Sequence, residues 1–407
     1  MIMSFLILVM LLSQKTNALV GLESLQSKLF QENQELSSLK QQVESKEALY
    51  SSTTSGFLPS VSAVGGWAQN KTDDLATIEK GNFGYIEAKY NLFNGFKDYS
   101  VSNEKEINLK LAKIDLEEKQ RTLRAELTEA VSEIIYLHKL QNILEEETKT
   151  TQLQKQMAAK KVAAGLTGQV DNLEFDLRES EIEVEKNQID QLHNEAHQKL
   201  VKLFGKELTD SELEQIAFAS IDELGKSSKE LILENNLGYQ KSNLNLSKSR
   251  TAKMESRSDF LPKLDFTMNV GRLTPTENTP IQFNENKYAI TLTIPLFAGF
   301  DTYYKTRSAN LDISAAEKSL TQKNSDVTSE FNILKAKTFE LIKLYKINEI
   351  KLGNSQQYFD LTLGEYKRGV KNSPDLVSAT ERLYTSKKKK FEILKELEIL
   401  KVKIENI

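Results

Sequence analysis

The chain has 407 residues, of which 28% are charged and 39% hydrophobic, with 6 prolines, 17 glycines and no cysteine. So few turn residues exclude an all-β sandwich, and the missing cysteines exclude a disulfide scaffold, a thiolate metal site, a cysteine nucleophile and N-terminal lipoprotein acylation. With 54 Lys and Arg against 58 Asp and Glu, the net charge of −4 gives no electrostatic footprint for nucleic acid. Long, uninterrupted helices are the expectation, in a length that suits two or three domains.

Phe5 to Leu12 is a continuous apolar run, within the roughly 7–15 residues of a secretory h-region and far short of the ~20 of a membrane-spanning helix. Thr16-Asn17-Ala18 supplies small residues for cleavage, so residues 1–18 read as a signal peptide and the mature chain as exported. The first four residues carry no Lys or Arg, which leaves a buried start to the first helix as the other reading. No later segment could cross a membrane as a helix. If the chain sits in a membrane, it does so as strands.

From there each half follows the same order. A polar helix (Leu22 to Ser55; Ile221 to Asp259) leads into two strands, placed at about 57–70 and 82–93 and again at about 261–272 and 286–297. Leu264, Phe266, Met268 and Val270 alternate with polar residues, as do Tyr288, Ile290, Leu292 and Ile294, which is the strand signature. The first half is less regular: Val61, Ala63 and Trp67, then Phe83, Tyr85 and an offset row of Ile86, Ala88, Tyr90 and Leu92. A helix without proline follows, 96–163 and 300–368, about 68 residues or roughly 100 Å at 1.5 Å per residue. Leu123, Leu127, Ala130, Ile134, Leu137 and Leu144, and later Val327, Phe331, Leu334, Leu341, Tyr345 and Leu352, recur at coiled-coil spacing. Val131, Ile135, Ile333, Ala336, Ile347 and Ile350 lie off those seams, so each long helix is expected to touch more than one neighbour. Turns at 164–168 and 369–373 lead into closing helices at 169–204 and 374–405.

The two halves are copies. Phe57-Leu58-Pro59 returns as Phe260-Leu261-Pro262, Leu92-Phe93-Asn94-Gly95-Phe96 as Leu296-Phe297-Ala298-Gly299-Phe300, and Ala164-Gly165 with Asp171 as Arg368-Gly369 with Asp375, at offsets of 203 or 204. Such a period is a duplicated half-protein, 19–205 and 206–407, not a solenoid repeat.

Four strands of about ten residues, apolar on one face, match the transmembrane β-strand pattern, and Trp67, Phe93, Phe96, Phe297 and Phe300 stand near strand ends as an interfacial girdle would. Four strands cannot close a barrel and lipid does not tolerate an open edge, so closure requires several chains. The alternative is a secreted or periplasmic coiled-coil scaffold with a water-soluble sheet and no pore.

At this point the chain resembles the TolC family of outer-membrane efflux proteins, in both halves. The resemblance rests on the duplication, the Phe-Leu-Pro ahead of each first strand, Pro295-Leu296-Phe297-x-Gly299, and Tyr366-Lys367-Arg368-Gly369-x5-Asp375-Leu376-Val377-x-Ala379. It implies a mainly α fold with a small β part: long helices forming an α-barrel, and four strands per chain completing a 12-stranded barrel in a homotrimer. It also implies an outer-membrane duct with a periplasmic extension, joined to an inner-membrane pump by a periplasmic adaptor in efflux or type I secretion, with no cofactor and no enzymatic activity. Asn91 departs from the motif, standing where the second half has Pro295. The sequence stops soon after its last helix, so no C-terminal extension is expected.

The distal turns carry two readings. Asp171 and Asp375 sit where a helix macrodipole favours a carboxylate, worth ~0.3–1 kcal/mol. In a trimer they would instead form rings of carboxylates that select cations, with Glu174 supporting Asp171. Family members are acidic at the position of Asp375 inside the distal constriction; a second acidic position matches Ser378 and is lost. The resemblance also makes Gly165, Leu166, Arg368, Gly369 and Val370 the docking site for adaptor hairpins. His193 and His197, four apart, have metal-ligand spacing but lack the His-Glu-x-x-His arrangement, and read with His138 as surface or packing residues. No P-loop or Gly-x-Ser-x-Gly elbow is present, and the Lys387–Lys390 run reads as a solvated face.

Overall fold

The computed structural model describes residues 19–20, 22–71, 78–208, 213, 216–219, 233–276, 281, 285–297 and 299–407. The expected signal peptide, residues 221–232 of the second opening helix and Ala298 lie outside the described residues. In chain order the elements are β1 (Leu19–Val20), α1 (Leu22–Glu32), α2 (Gln34–Ser52), β2 (Ser60–Lys71), β3 (Ile78–Asn94), α3 (Lys97–Ala163), α4 (Val170–Phe204), β4 (Ala217–Phe218), α5 (Leu237–Ser258), β5 (Lys263–Thr276), β6 (Glu285–Thr293), α6 (Asp301–Lys367) and α7 (Ser373–Asn406).

Two compact units share this chain. One holds residues 38–117 and 234–326, the other 1–37, 118–233 and 327–407, and α3 and α6 contribute to both. The first unit is built on a four-stranded antiparallel sheet in the order β2-β3-β5-β6, so that β2 and β6 are its edges. The second unit is helical. Its core follows the expected seam on α3, where Leu123, Leu127, Ala130, Ile134, Leu137 and Leu144 are all buried. Val131 and Ile135 are buried as well, so this helix does touch more than one neighbour within the chain. On α6 the off-seam residues Ile333, Ile347 and Ile350 are instead more than half exposed. A small β1–β4 ribbon closes the unit: Phe218 and Ala219 pack on Leu341, Ile393 and Leu397, and the Ala219 N–H donates to the buried Glu398 carboxylate at 2.6 Å.

Local chemistry moves several boundaries from the sequence expectation. The first opening helix is two helices, because the Asn33 side chain accepts from the Leu36 N–H at 3.0 Å and restarts the helix as an N-cap. β6 ends at Thr293, before Pro295, which has no N–H to give a ladder. In the first half Asn91 occupies that position and β3 runs on to Asn94. A bulge between Asn91 and Phe93 then places Phe93, not Leu92, opposite Leu264.

Candidate functional site

The register of the sheet sorts its side chains onto two faces. Val61, Ala88, Met268 and Tyr288 lie in one cross-strand row, flanked by Ala63, Ile86 and Val270 and by Tyr90, Phe266 and Ile290. The intervening rows are polar: Ser62, Glu87, Asn269 and Lys287, then Asn91, Asp265 and Thr291. Glu87 and Lys89 pair at 2.9 Å on the polar face. The apolar face is bare, with Val61 and Ile290 each 69% exposed.

Of the five aromatics expected at strand ends, Trp67 sits opposite Asn82 at one end of the sheet, and the other four sit at the opposite end. Phe93 and Phe96 meet edge-to-face at 5.2 Å, and Phe297 and Phe300 repeat the contact at 5.4 Å. Phe96 and Phe300 follow Gly95 and Gly299, and all four residues have φ between 60° and 66°, so the copied sequence copies a left-handed two-residue backbone. Phe83 and Tyr85 lie on the polar face, stacked on each other, opposite Gly66 and Gly271. A Cβ at Gly66 would stand 2.9 Å from the Phe83 ring, so the glycine makes room for it. Their offset from the apolar row is visible in the sequence; their glycine partners lie across strands and are not.

The distal turns belong to the helical unit. Both long helices stop in the same way: the Leu166 N–H donates to Lys161 O at 2.9 Å and the Val370 N–H to Glu365 O at 3.0 Å, around Gly165 (φ 71°) and Gly369 (φ 79°). These are Schellman ends, which require the left-handed residue that glycine provides. Leu166 and Val370 are 73% and 69% exposed, and Arg368 is exposed too. The helix starts differ. Asn372 caps α7 by accepting from the Asp375 N–H at 3.2 Å, with Pro374 in the first turn, whereas Gln169 gives α4 no side-chain cap. Asp171 and Asp375 both stand in first turns; Asp375 also pairs with Lys371 at 3.6 Å, and Glu174 is partly buried one turn into α4.

Behind the turns all four helices meet around Tyr366, which packs with Ala158, Phe175 and Leu376 and is fully buried. Lys161 lies 3.7 Å from the centre of its ring and donates to its carbonyl oxygen. Burial pushes the Tyr366 phenol up; a hydrogen bond from Ser373 opposes this and the charge of Asp171 adds to it. The motif around Tyr366 was legible in the sequence, but its partners Lys161 and Phe175 come from the other half of the chain.

Farther along, Glu147 is completely buried and is met by Arg178 from α4 and by Lys388 from α7 at 3.3 Å; Lys388 also reaches Glu185 at 2.7 Å. The lysine run is thus not merely a solvated face: Lys387 holds Glu146, Lys388 holds Glu147 and Glu185, and Lys390 holds Glu349. His193 is not a surface residue standing alone either, for its Nε2 lies 2.9 Å from that of His138, and its ring is 4.5 Å from that of His197. Among the described residues no group of three or more ligating side chains is arranged to hold a metal ion, and no helix is long and apolar enough to cross a membrane.

A sheet with one apolar and one polar face, joined to very long helices in a duplicated chain, can be set against known proteins. The family model described as outer membrane efflux protein matches residues 25–206 and 230–402, most of each half. The chain belongs to that family. Solved structures of the same fold include the outer membrane protein VceC of Vibrio cholerae (TM-score 0.77, 12% identity, 94% of each chain covered). The open-state MtrE outer membrane channel of Neisseria gonorrhoeae has TM-score 0.77 at 15% identity, covering 96% of this chain and 89% of that one. The Campylobacter jejuni CmeC outer membrane channel has TM-score 0.75 at 14% identity, covering 96% and 86%. No curated protein matches. This efflux protein is therefore an outer-membrane channel and not an enzyme, and its mainly helical architecture with a small sheet is that of the family. The reading as a pore-free scaffold is set aside.

Proposed function

We propose that this protein is the exit duct of a tripartite efflux or type I secretion system, working as a homotrimer with a periplasmic adaptor and an inner-membrane pump. The observation that carries it is the sheet. Its apolar face is bare and both its edges are open, which lipid tolerates only if β6 of one copy pairs with β2 of the next and the ring closes. Three copies give twelve strands, enough for a lumen lined by the polar face, where Glu87, Asp265 and Glu285 are balanced by Lys89, Lys263 and Lys287. From the Leu264 row to the Trp67 end, about 12 residues of β5 rise ~40 Å, which at a ~45° tilt crosses the ~30 Å hydrocarbon layer. The aromatics at the two ends then lie at the two interfaces.

In this reading residues 1–18 direct export and are removed, and the halves 19–205 and 206–407 each supply two strands and a helical hairpin. Gly165, Leu166, Arg368, Gly369 and Val370 receive the adaptor, while Asp375 and Asp171, with Glu174, form the acidic constriction. Single-channel current in a planar bilayer tests the constriction: trivalent cations added on the helical side should block it, and Asp375→Ala with Asp171→Ala should relieve the block. Block unchanged by both substitutions would remove these carboxylates from the pore.

A further inference from the structure

Two rings stand among the polar side chains of the sheet. Phe83 and Tyr85 are stacked, with ring centres 6.3 Å apart and planes 28° from parallel, and both are partly exposed. The register puts them on the face of Glu87, Asn269 and Lys287, not on the apolar face. Each lies opposite a glycine. A Cβ at Gly66 would stand 2.9 Å from the Phe83 ring, which therefore reaches over bare backbone. Gly271 has φ 148°, and a Cβ there would stand 2.5 Å from the Gly84 carbonyl oxygen and 2.9 Å from the Tyr85 Cβ. Neither position can hold a side chain that covers the rings.

The duplication shows that the ladder does not need them. At the offsets of 203 and 204, the Gly66–Phe83 pair becomes Asn269–Lys287, and Val64–Tyr85 becomes Thr267–Ala289. The apolar row survives the same copying, Ile86 as Ile290 and Ala88 as Leu292. The second hairpin thus pairs its strands with a lysine and an alanine where the first carries two rings.

We infer that Phe83 and Tyr85 form a contact site for flat aromatic molecules on the wall of the duct, near its outer mouth. The inference rests on the duct reading above, which turns this face to the lumen, and it names a class of cargo that the wall would retard. The rings adjoin the Asn82–Trp67 row, at the end of the sheet away from the helices. A stacked pair offers an aromatic ligand offset or edge-on contacts, which are worth more than the area they cover. Charge does not select here. Glu87 pairs with Lys89 at 2.9 Å, and Glu285, in the row of Tyr85 beyond Gly271, has Lys287 two residues away on the same face. Three copies place three ring pairs around the lumen, alternating with three hairpins that present Asn269 and Lys287.

Planar-bilayer current through the full-length protein tests the contact with two dications, the flat aromatic methyl viologen and the flexible aliphatic hexamethonium. Added on the strand side, methyl viologen should block with dwell times about 2- to 10-fold longer, the range that one offset ring contact gives. Both probes carry the same charge, so block at an acidic constriction cancels in the ratio. Phe83→Leu with Tyr85→Leu should bring the ratio to one, and Tyr85→Phe should keep it above one. If the double variant does not insert, Tyr85→Ala, which copies the residue at Ala289, should lower the ratio by itself. Equal dwell times in the wild type, or a ratio that survives the double substitution, overturn the inference. A wild-type protein that passes no current overturns the duct reading instead, and calorimetry in detergent then decides the contact. Binding of methyl viologen but not hexamethonium, lost in the double variant, supports it, and equal or absent binding of the two overturns it.

Discussion

At the scale of single residues, the most exacting position is Glu147. Its carboxylate has no exposure and sits between Arg178 and Lys388, which are themselves 13% and 17% exposed. Removing one partner of such a group leaves buried charge unmatched, which costs about 3–5 kcal/mol. Glu147→Ala should therefore lower the unfolding midpoint of the helical signal well beyond Glu146→Ala, whose carboxylate is 56% exposed and pairs with Lys387. Equal effects of the two would contradict the burial argument. Tyr136 and Tyr384 offer a second test, since burial pushes both phenols up to about 12, with nearby glutamates adding to it. A folded value above the ordinary 10 means that the fold favours the neutral phenol. That stability is complete below about pH 10 and is lost as pH rises through about 12. In an alkaline titration Tyr136 and Tyr384 should thus ionise late, as should the buried Tyr366, and Tyr384→Phe should remove one late-ionising phenol. None of this is legible in the sequence, because Glu147, Arg178 and Lys388 are distant in the chain and each looks like any other charge on a polar helix.

At the scale of elements, the duplication is preserved in backbone but not in surroundings. Gly95 and Gly299 share φ 60°, yet a Cβ at Gly95 would stand 2.6 Å from the Ser258 carbonyl oxygen, while at Gly299 nothing among the described residues lies within 4 Å. Gly95→Ala should accordingly destabilise more than Gly299→Ala, measured by thermal unfolding; the reverse order would mean that the contact is unimportant. The distal glycines isolate the backbone term. Gly165 and Gly369 have open space around them and φ of 71° and 79°, so alanine there costs about 1–2 kcal/mol through backbone strain alone. Gly353, inside α6 with equally open surroundings, should instead gain about 0.5–1 kcal/mol as alanine. Element existence was readable because these signals are local: alternation marked the strands of the second half, and the absence of proline marked the two long helices. What the sequence hid was tertiary. Asn33 looked like one more polar residue in a helix until its side chain was seen to cap α2, and the bulge at Leu92 depends on the partner strand.

At the scale of the whole molecule, the surfaces left uncovered explain one another. The sheet has two unpaired edges and a bare apolar face, and the helical unit has bare seams on α4 and α6. A chain that exposes Phe297, Ile290, Val184 and Ile350 together is incomplete alone, since a soluble monomer rarely leaves such patches open. In the proposed duct, lipid and further copies of the same chain would cover them. The sequence showed which residues alternate but not which would remain uncovered after the chain had packed on itself; Val131 and Ile350 look alike as off-seam residues, and only one is buried. The most direct measurement is current across a planar bilayer after adding the purified full-length protein. The account predicts discrete, uniform conductance steps carried by a species with the mass of three chains. A protein that stays in solution without detergent and passes no current would contradict it.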